Sequence, residues 1–343
     1  MFNPYAATTM VKRKQMAATS PPAVPVTPLQ QPSKIPSLLR FPILVFTSMA
    51  TSAAMYSLVS QLGTGDLAGV NKRRDEWWEI AAVLGWKATE LALGWWGEYD
   101  GWDLASLTML SHLPYLYLLT TFYAVRPTTL WLGLHVDIVS TYLPFSLLRD
   151  SSPIHRSEAN KGEVANRSIL NDLNIKLYTS FLAAAVYGVV IYGSFRTWLP
   201  GFLIVHFEGL KDLSGAYEAA LPGVTVGFLT SGYAAQAFLF RPALGAKPDA
   251  HDMQMAEFDA ETATLGQTIW YNIWGYSKRS RTLIKRTAIL ILASSMQTGL
   301  RTYITIEGVE PIGAAGWAAM WAAAATLVGA VFWWVGDVEG VSN

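Results

Sequence analysis

The chain contains no cysteine among its 343 residues. That excludes disulfides, thiolate zinc sites, iron–sulfur clusters and cysteine nucleophiles. Charge is also scarce, at 15% of residues, where a soluble domain carries roughly 25%. Neither sign is in excess, since 25 Lys and Arg face 25 Asp and Glu, which argues against a nucleic-acid partner. No acidic residue precedes Asp66, and the early cations are Lys12, Arg13, Lys14, Lys34 and Arg40. A mitochondrial presequence has that bias, but Pro21, Pro22, Pro25, Pro28, Pro32 and Pro36 would break its amphipathic helix. Residues 1–40 are therefore expected to be a disordered basic, Pro-rich tail. No short apolar run of the kind that ends in a cleavage site opens the chain, which argues against a secretory signal.

What the chain has is apolar length. Eight stretches, at about 41–62, 77–96, 104–124, 128–148, 177–199, 221–240, 283–304 and 312–335, hold few charges: Glu79, Lys87, Glu90, Asp137, Arg196, Lys285, Arg286 and Arg301. At 1.5 Å per residue, each is long enough to cross a hydrocarbon core of about 30 Å. These features predict an all-α, polytopic transmembrane protein with about eight spans. Residues 41–343 form a single helical domain in this reading. Eight spans with a cytosolic N-terminus place most Lys and Arg on the cytosolic side, so both termini are expected there. Cytosolic loops are expected at 149–176 and 241–282. The second ends in an aromatic and basic stretch, Trp270 to Arg281, that reads as an interfacial helix. Gly223 with Gly227, and Ala325 with Gly329, have the spacing of close helix contacts.

Ionisable groups in apolar helices are costly and mark candidate sites. The stretch 77–96 holds three. Glu79, Trp86 and Glu90 fall within about 40° on a helix, and Lys87 reaches Glu90 across one turn. Lys87 and Glu90 either neutralise each other between helices or wall a cavity. Asp137 stands mid-stretch, as a protonated acid or as a hydrogen-bonding group between helices. His135 lies about 200° round the helix from it. His112 precedes Pro114 and has the option of bonding a carbonyl that the proline frees. Gly97 to Asp103 is an acidic turn in which Asp103 is expected to cap the next helix. No DDxxD motif occurs, so no magnesium-bound diphosphate, and no metal, is expected. Six of the 14 Trp lie at 77, 78, 86, 95, 96 and 102. Most suit membrane edges, whereas Trp86 is near mid-stretch, where an indole face can stabilise a cation.

Several of these words are shared. Asp75-Glu76-Trp77-Trp78-Glu79, Trp86-Lys87-Ala88-Thr89-Glu90-Leu91, Asp103-Leu104-Ala105-Ser106-Leu107-Thr108, His112-Leu113-Pro114 and Phe122 to Thr129 resemble a fungal family that includes the membrane-bound terpene cyclases of ascofuranone-type meroterpenoid pathways. The resemblance implies protonation of an epoxide on a prenyl chain followed by cyclisation, an isomerase or lyase activity of secondary metabolism. Such a reaction uses no cofactor. Its partners would be a prenylated or epoxidised small molecule and the lipid bilayer, in the endoplasmic reticulum or another endomembrane. Glu90, Asp137 and Glu79 are then the candidate acids, and Trp86, Lys87, His112 and His135 line the substrate. A polytopic transporter or exporter and a non-enzymatic membrane scaffold are the alternatives.

Overall fold

The computed structural model describes residues 36–62, 72, 76–156 and 162–338. The tail expected over 1–40 lies outside them up to residue 35. Among the described residues the fold is all-helical, without strands. In chain order the helices are α1 (Ser37–Leu62), α2 (Trp77–Trp96), α3 (Gly101–Phe122), α4 (Pro127–Leu148), α5 (Arg167–Asn171), α6 (Leu173–Arg196), α7 (Leu199–His206), α8 (Ser214–Tyr217), α9 (Leu221–Gly227) and α10 (Leu229–Ala235). A π-helical turn, Gln236–Phe240, leads into α11 (Arg241–Leu244), followed by α12 (Ala250–Ala256), α13 (Leu265–Trp274), α14 (Lys278–Thr305) and α15 (Pro311–Val338).

Each apolar stretch is helical, for local reasons that the sequence carries. Pro127 opens α4 at its first turn, where its missing N–H is not needed. Asp172 caps α6 by accepting from the Asn174 and Ile175 N–H groups. Capping boxes start α12, with Asp249 and Asp252, and α13, with Thr264 and Gln267. The cap of α3 is Asp100, not the expected Asp103. Backbone at Asp100 is extended and its Oδ1 accepts the Asp103 N–H at 2.9 Å. The helix thus starts earlier than expected and frees the Asp103 carboxylate for another partner.

The expectation of about eight spans is corrected. Among the described residues, three helices are long and apolar enough to cross a membrane: Ser37–Ser60, Leu173–Arg196 and Pro311–Gly336. Leu221–Gly227 and Leu229–Leu244 make a fourth if the pair, bent by 54°, is one span. The others fall short because polar residues interrupt them: α2 with Glu79, Lys87 and Glu90, α3 with Asp103 and His112, α4 with Asp137, and α14 with Lys285, Arg286 and Arg301. With the count reduced, placement of both termini on one side no longer follows.

The core lies where α3, α6, α10, α14 and α15 meet. An aromatic group of Tyr117, Tyr187, Phe195, Phe228 and Trp321 fills it, with ring centroids 5.2–6.3 Å apart. Trp317 is fully buried there and its Nε1 donates to the Pro114 carbonyl at 3.1 Å. Of the expected small-residue contacts, Gly329 does admit α14, since a Cβ would lie 2.6 Å from Thr287. Gly223 and Gly227 have open space beside them. The tight crossing on the bent pair is at Gly232, where a Cβ would overlap the Ser180 carbonyl of α6.

Candidate functional site

Helices α2, α3, α4 and α14 bring their internal charges to one place. Glu90 on α2 and Asp137 on α4 are almost fully buried. His112 on α3 stands between them: its Nδ1 is 2.7 Å from Asp137 Oδ2 and its Nε2 is 3.7 Å from Glu90 Oε1. The imidazole is therefore hydrogen-bonded to Asp137 and only faces Glu90, since among the described residues neither His112 Nε2 nor Glu90 Oε1 has a hydrogen-bond partner; it is not a partner for a carbonyl freed by Pro114. Lys87 donates to Glu90 Oε2 at 3.1 Å and to the Thr141 hydroxyl at 2.8 Å. Arg301 on α14 lies 3.2 Å from Asp137 Oδ2, and the Tyr56 hydroxyl on α1 donates to Asp137 Oδ1 at 3.0 Å.

Asp137 consequently meets a guanidinium, an imidazole and a phenol. Those are the surroundings of a carboxylate with its charge countered, not of the isolated protonated acid that its apolar neighbours in sequence suggest. Glu90 is matched in the same way by Lys87. Two acids and two permanent cations balance, as buried charges require.

A cavity of about 510 Å³ opens beside this network. Trp86, Lys87, His112, Asp137, Arg301, Tyr56 and Gln297 supply its polar lining. Trp86 Nε1 is buried and has no hydrogen-bond partner among the described residues. Two predicted site residues stay apart. His135 is exposed and its Nδ1 is 2.8 Å from the Trp131 carbonyl of its own helix. Glu79 is buried but pairs with Lys72 at 2.7 Å and does not line the cavity.

A second buried pair joins α3 to α14. Arg286 grips Asp103 with Nη1 at 2.7 Å and Nη2 at 2.9 Å, and Nη1 also donates to the Phe238 carbonyl at 3.0 Å. Its guanidinium lies 4.6 Å from the ring centroid of Tyr99 and 5.1 Å from that of Phe238. Asp100 next to it holds the Ser152 N–H at 2.8 Å and lies 2.7 Å from His155 Nδ1. Burial alone would raise the Asp100 pKa, but His155 and the two N–H donors outweigh it and hold the carboxyl below its ordinary value. Asp100, Asp103 and His155 are close enough together to share a cation. Both carboxylates are nevertheless already engaged by protein donors, so the group has no unspent charge to offer one.

Arg286, Arg301, Tyr56 and Thr141 had no role assigned from sequence. Charge balance was the available signal: Glu79, Glu90 and Asp137 in the apolar stretches and Asp103 beside one need cations, and those stretches hold Lys87, Arg196, Lys285, Arg286 and Arg301. The separation hid the pairing, for Arg286 and Asp103 are 183 residues apart.

Residues 172–335 match the family described as the Bouquet formation protein 3 C-terminal domain. No curated protein and no solved structure matches the chain. The family match overturns the terpene-cyclase resemblance and what was taken from it: the cyclisation of an epoxidised prenyl chain, the place in secondary metabolism and the prenylated small-molecule partner. The residues that carried the resemblance have structural employment here. Asp103 binds Arg286, Glu90 binds Lys87, and Trp77 and Trp96 stand exposed at the ends of α2.

Proposed function

We propose that this protein is a helical membrane component of meiotic bouquet formation, associated with the nuclear envelope and acting through protein partners. The match over residues 172–335 carries this reading. Two of the three helices suited to crossing a membrane, and the bent pair, lie within or overlap the matched segment. They present Leu177, Tyr178 and Phe181 on α6 and Trp333 and Trp334 on α15 outward. Apolar surface of this kind calls for lipid or a partner.

The buried network fits an architectural part in that role. The matched segment supplies Arg286 and Arg301, and the preceding helices supply Asp103 and Asp137. Glu90, Asp137, Lys87 and His112 thus act in this reading as a polar lock between the two parts of the chain, with Trp86 at its edge and Glu79 fixing Lys72. The test is fractionation and imaging of the tagged full chain in meiotic cells. It should resist alkaline carbonate extraction and lie at the nuclear envelope. A chain released by carbonate, or spread through the cytosol, would refute the proposal.

A further inference from the structure

Away from the buried network, a cavity of about 260 Å³ opens where the loop after α4 meets α5 and α11. Arg156, Arg167, Arg241 and His155 line it together with Ile154 and Asn171, and among the described residues no carboxylate lines it. Arg156 and Arg241 bring two guanidinium groups to one small space, and an anion between them relieves their repulsion. Their flat, forked donors suit the oxygens of a phosphoryl group.

The donors are set in a fixed frame. Arg167 Nη2 donates to the Arg156 carbonyl at 2.8 Å. His155 is more than nine-tenths buried with its Nδ1 held by Asp100, which leaves Nε2 as its remaining polar atom. The Ala165 N–H donates to the Gly245 carbonyl at 3.2 Å and the Asn166 side chain to the Leu244 carbonyl at 3.2 Å, tying the loop to α11. Arg241 Nε is buried and has no hydrogen-bond partner among the described residues. A preorganised set of donors with one left unspent is what an anion site requires.

Position selects the source of the anion. Arg241 lies near the end of the bent pair that closes at Leu244, and Asn171 lies just before α6 begins at Leu173. The cavity therefore sits at the ends of two candidate spans, the level at which lipid phosphates lie. We propose that it binds the phosphomonoester headgroup of an anionic phospholipid, with Arg156 and Arg241 as principal donors. The lipid as source rests on the membrane reading above; the phosphate chemistry does not.

The test uses the full chain in detergent, with native mass spectrometry of bound phosphatidic acid against phosphatidylcholine, and competition by soluble glycerol 3-phosphate. Phosphatidic acid should be preferred and displaced by glycerol 3-phosphate. Arg241→Gln should weaken it about tenfold or more, as expected for hydrogen bonds to a charged group. Arg241→Lys, which keeps the charge and loses the fork, should fall between. Arg156 is exposed, so Arg156→Gln keeps the test valid if the Arg241 variants fail to fold. Equal binding of the two lipids, no displacement by glycerol 3-phosphate, or wild-type binding in folded variants would overturn the proposal. So would a phosphoserine peptide that displaces the lipid at lower concentration than glycerol 3-phosphate. If the chain is extracted by carbonate yet binds glycerol 3-phosphate through Arg241, the lipid source fails and the phosphate site stands.

Discussion

Arg286 holds Asp103 through both guanidinium nitrogens, at 2.7 and 2.9 Å, and so fastens α14 to the start of α3. Both side chains are largely buried. Removing one partner strands the other charge in an apolar setting. Asp103→Asn and Arg286→Met should each destabilise the protein by about 3–5 kcal/mol. The double variant Asp103→Leu with Arg286→Met should recover part of the loss. Unfolding in detergent, followed by tryptophan fluorescence, measures it; additive losses would mean that the pair is not coupled.

His112 makes Glu90 and Asp137 neighbours in energy as well as in space. Glu90→Gln and Asp137→Asn should be non-additive, with a coupling of about 0.5–3 kcal/mol. Replacing His112 by Asn first should reduce that coupling. A double-mutant cycle in each background checks it.

Asp100 gives the stability a pH dependence. Its folded carboxyl has a lowered pKa, so its contribution is fully present above the ordinary carboxylate pKa of about 3.9 and is lost as pH falls through the folded value. Wild type should therefore exceed Asp100→Asn in stability at neutral pH. The gap should close on acidification below the ordinary carboxylate range. Unfolding midpoints of both proteins across pH would show it, and a constant gap would contradict the assignment.

Gly232 marks the closest approach of α10 to α6. Any side chain there meets the Ser180 carbonyl and Ala184. Gly232→Ala should cost about 1–3 kcal/mol through overpacking. Gly223→Ala, with open space around it, should leave packing undisturbed. The two unfolding curves, compared side by side, test the crossing.

Much of the helical plan was legible in the sequence. The apolar stretch at 77–96 coincides with α2, and the stretch at 128–148 with α4 but for one residue. The Lys87–Glu90 pair followed from helical spacing, because three residues span one turn. What remained hidden was long-range: which helix brings Arg301 to Asp137, and that His112 stands between two acids. Apolar length also overstated the number of spans. The stretches that carry Glu90 and Arg286 have the length of a span, but their polar residues bring them below the hydropathy of the three candidate helices. The shared words between Asp75 and Thr129 misled for a related reason. Indoles at helix ends and acids paired within a bundle serve packing in helical proteins of many kinds, and the informative segment lay beyond them, at 172–335.

Cells that make this protein, with the gene deleted and chromosome ends marked fluorescently, should be scored in meiotic prophase. Chromosome ends scattered over the nucleus, and regathered when the full chain is restored, is the predicted result. Ends gathered as often without the protein as with it would show that it has no part in bouquet formation.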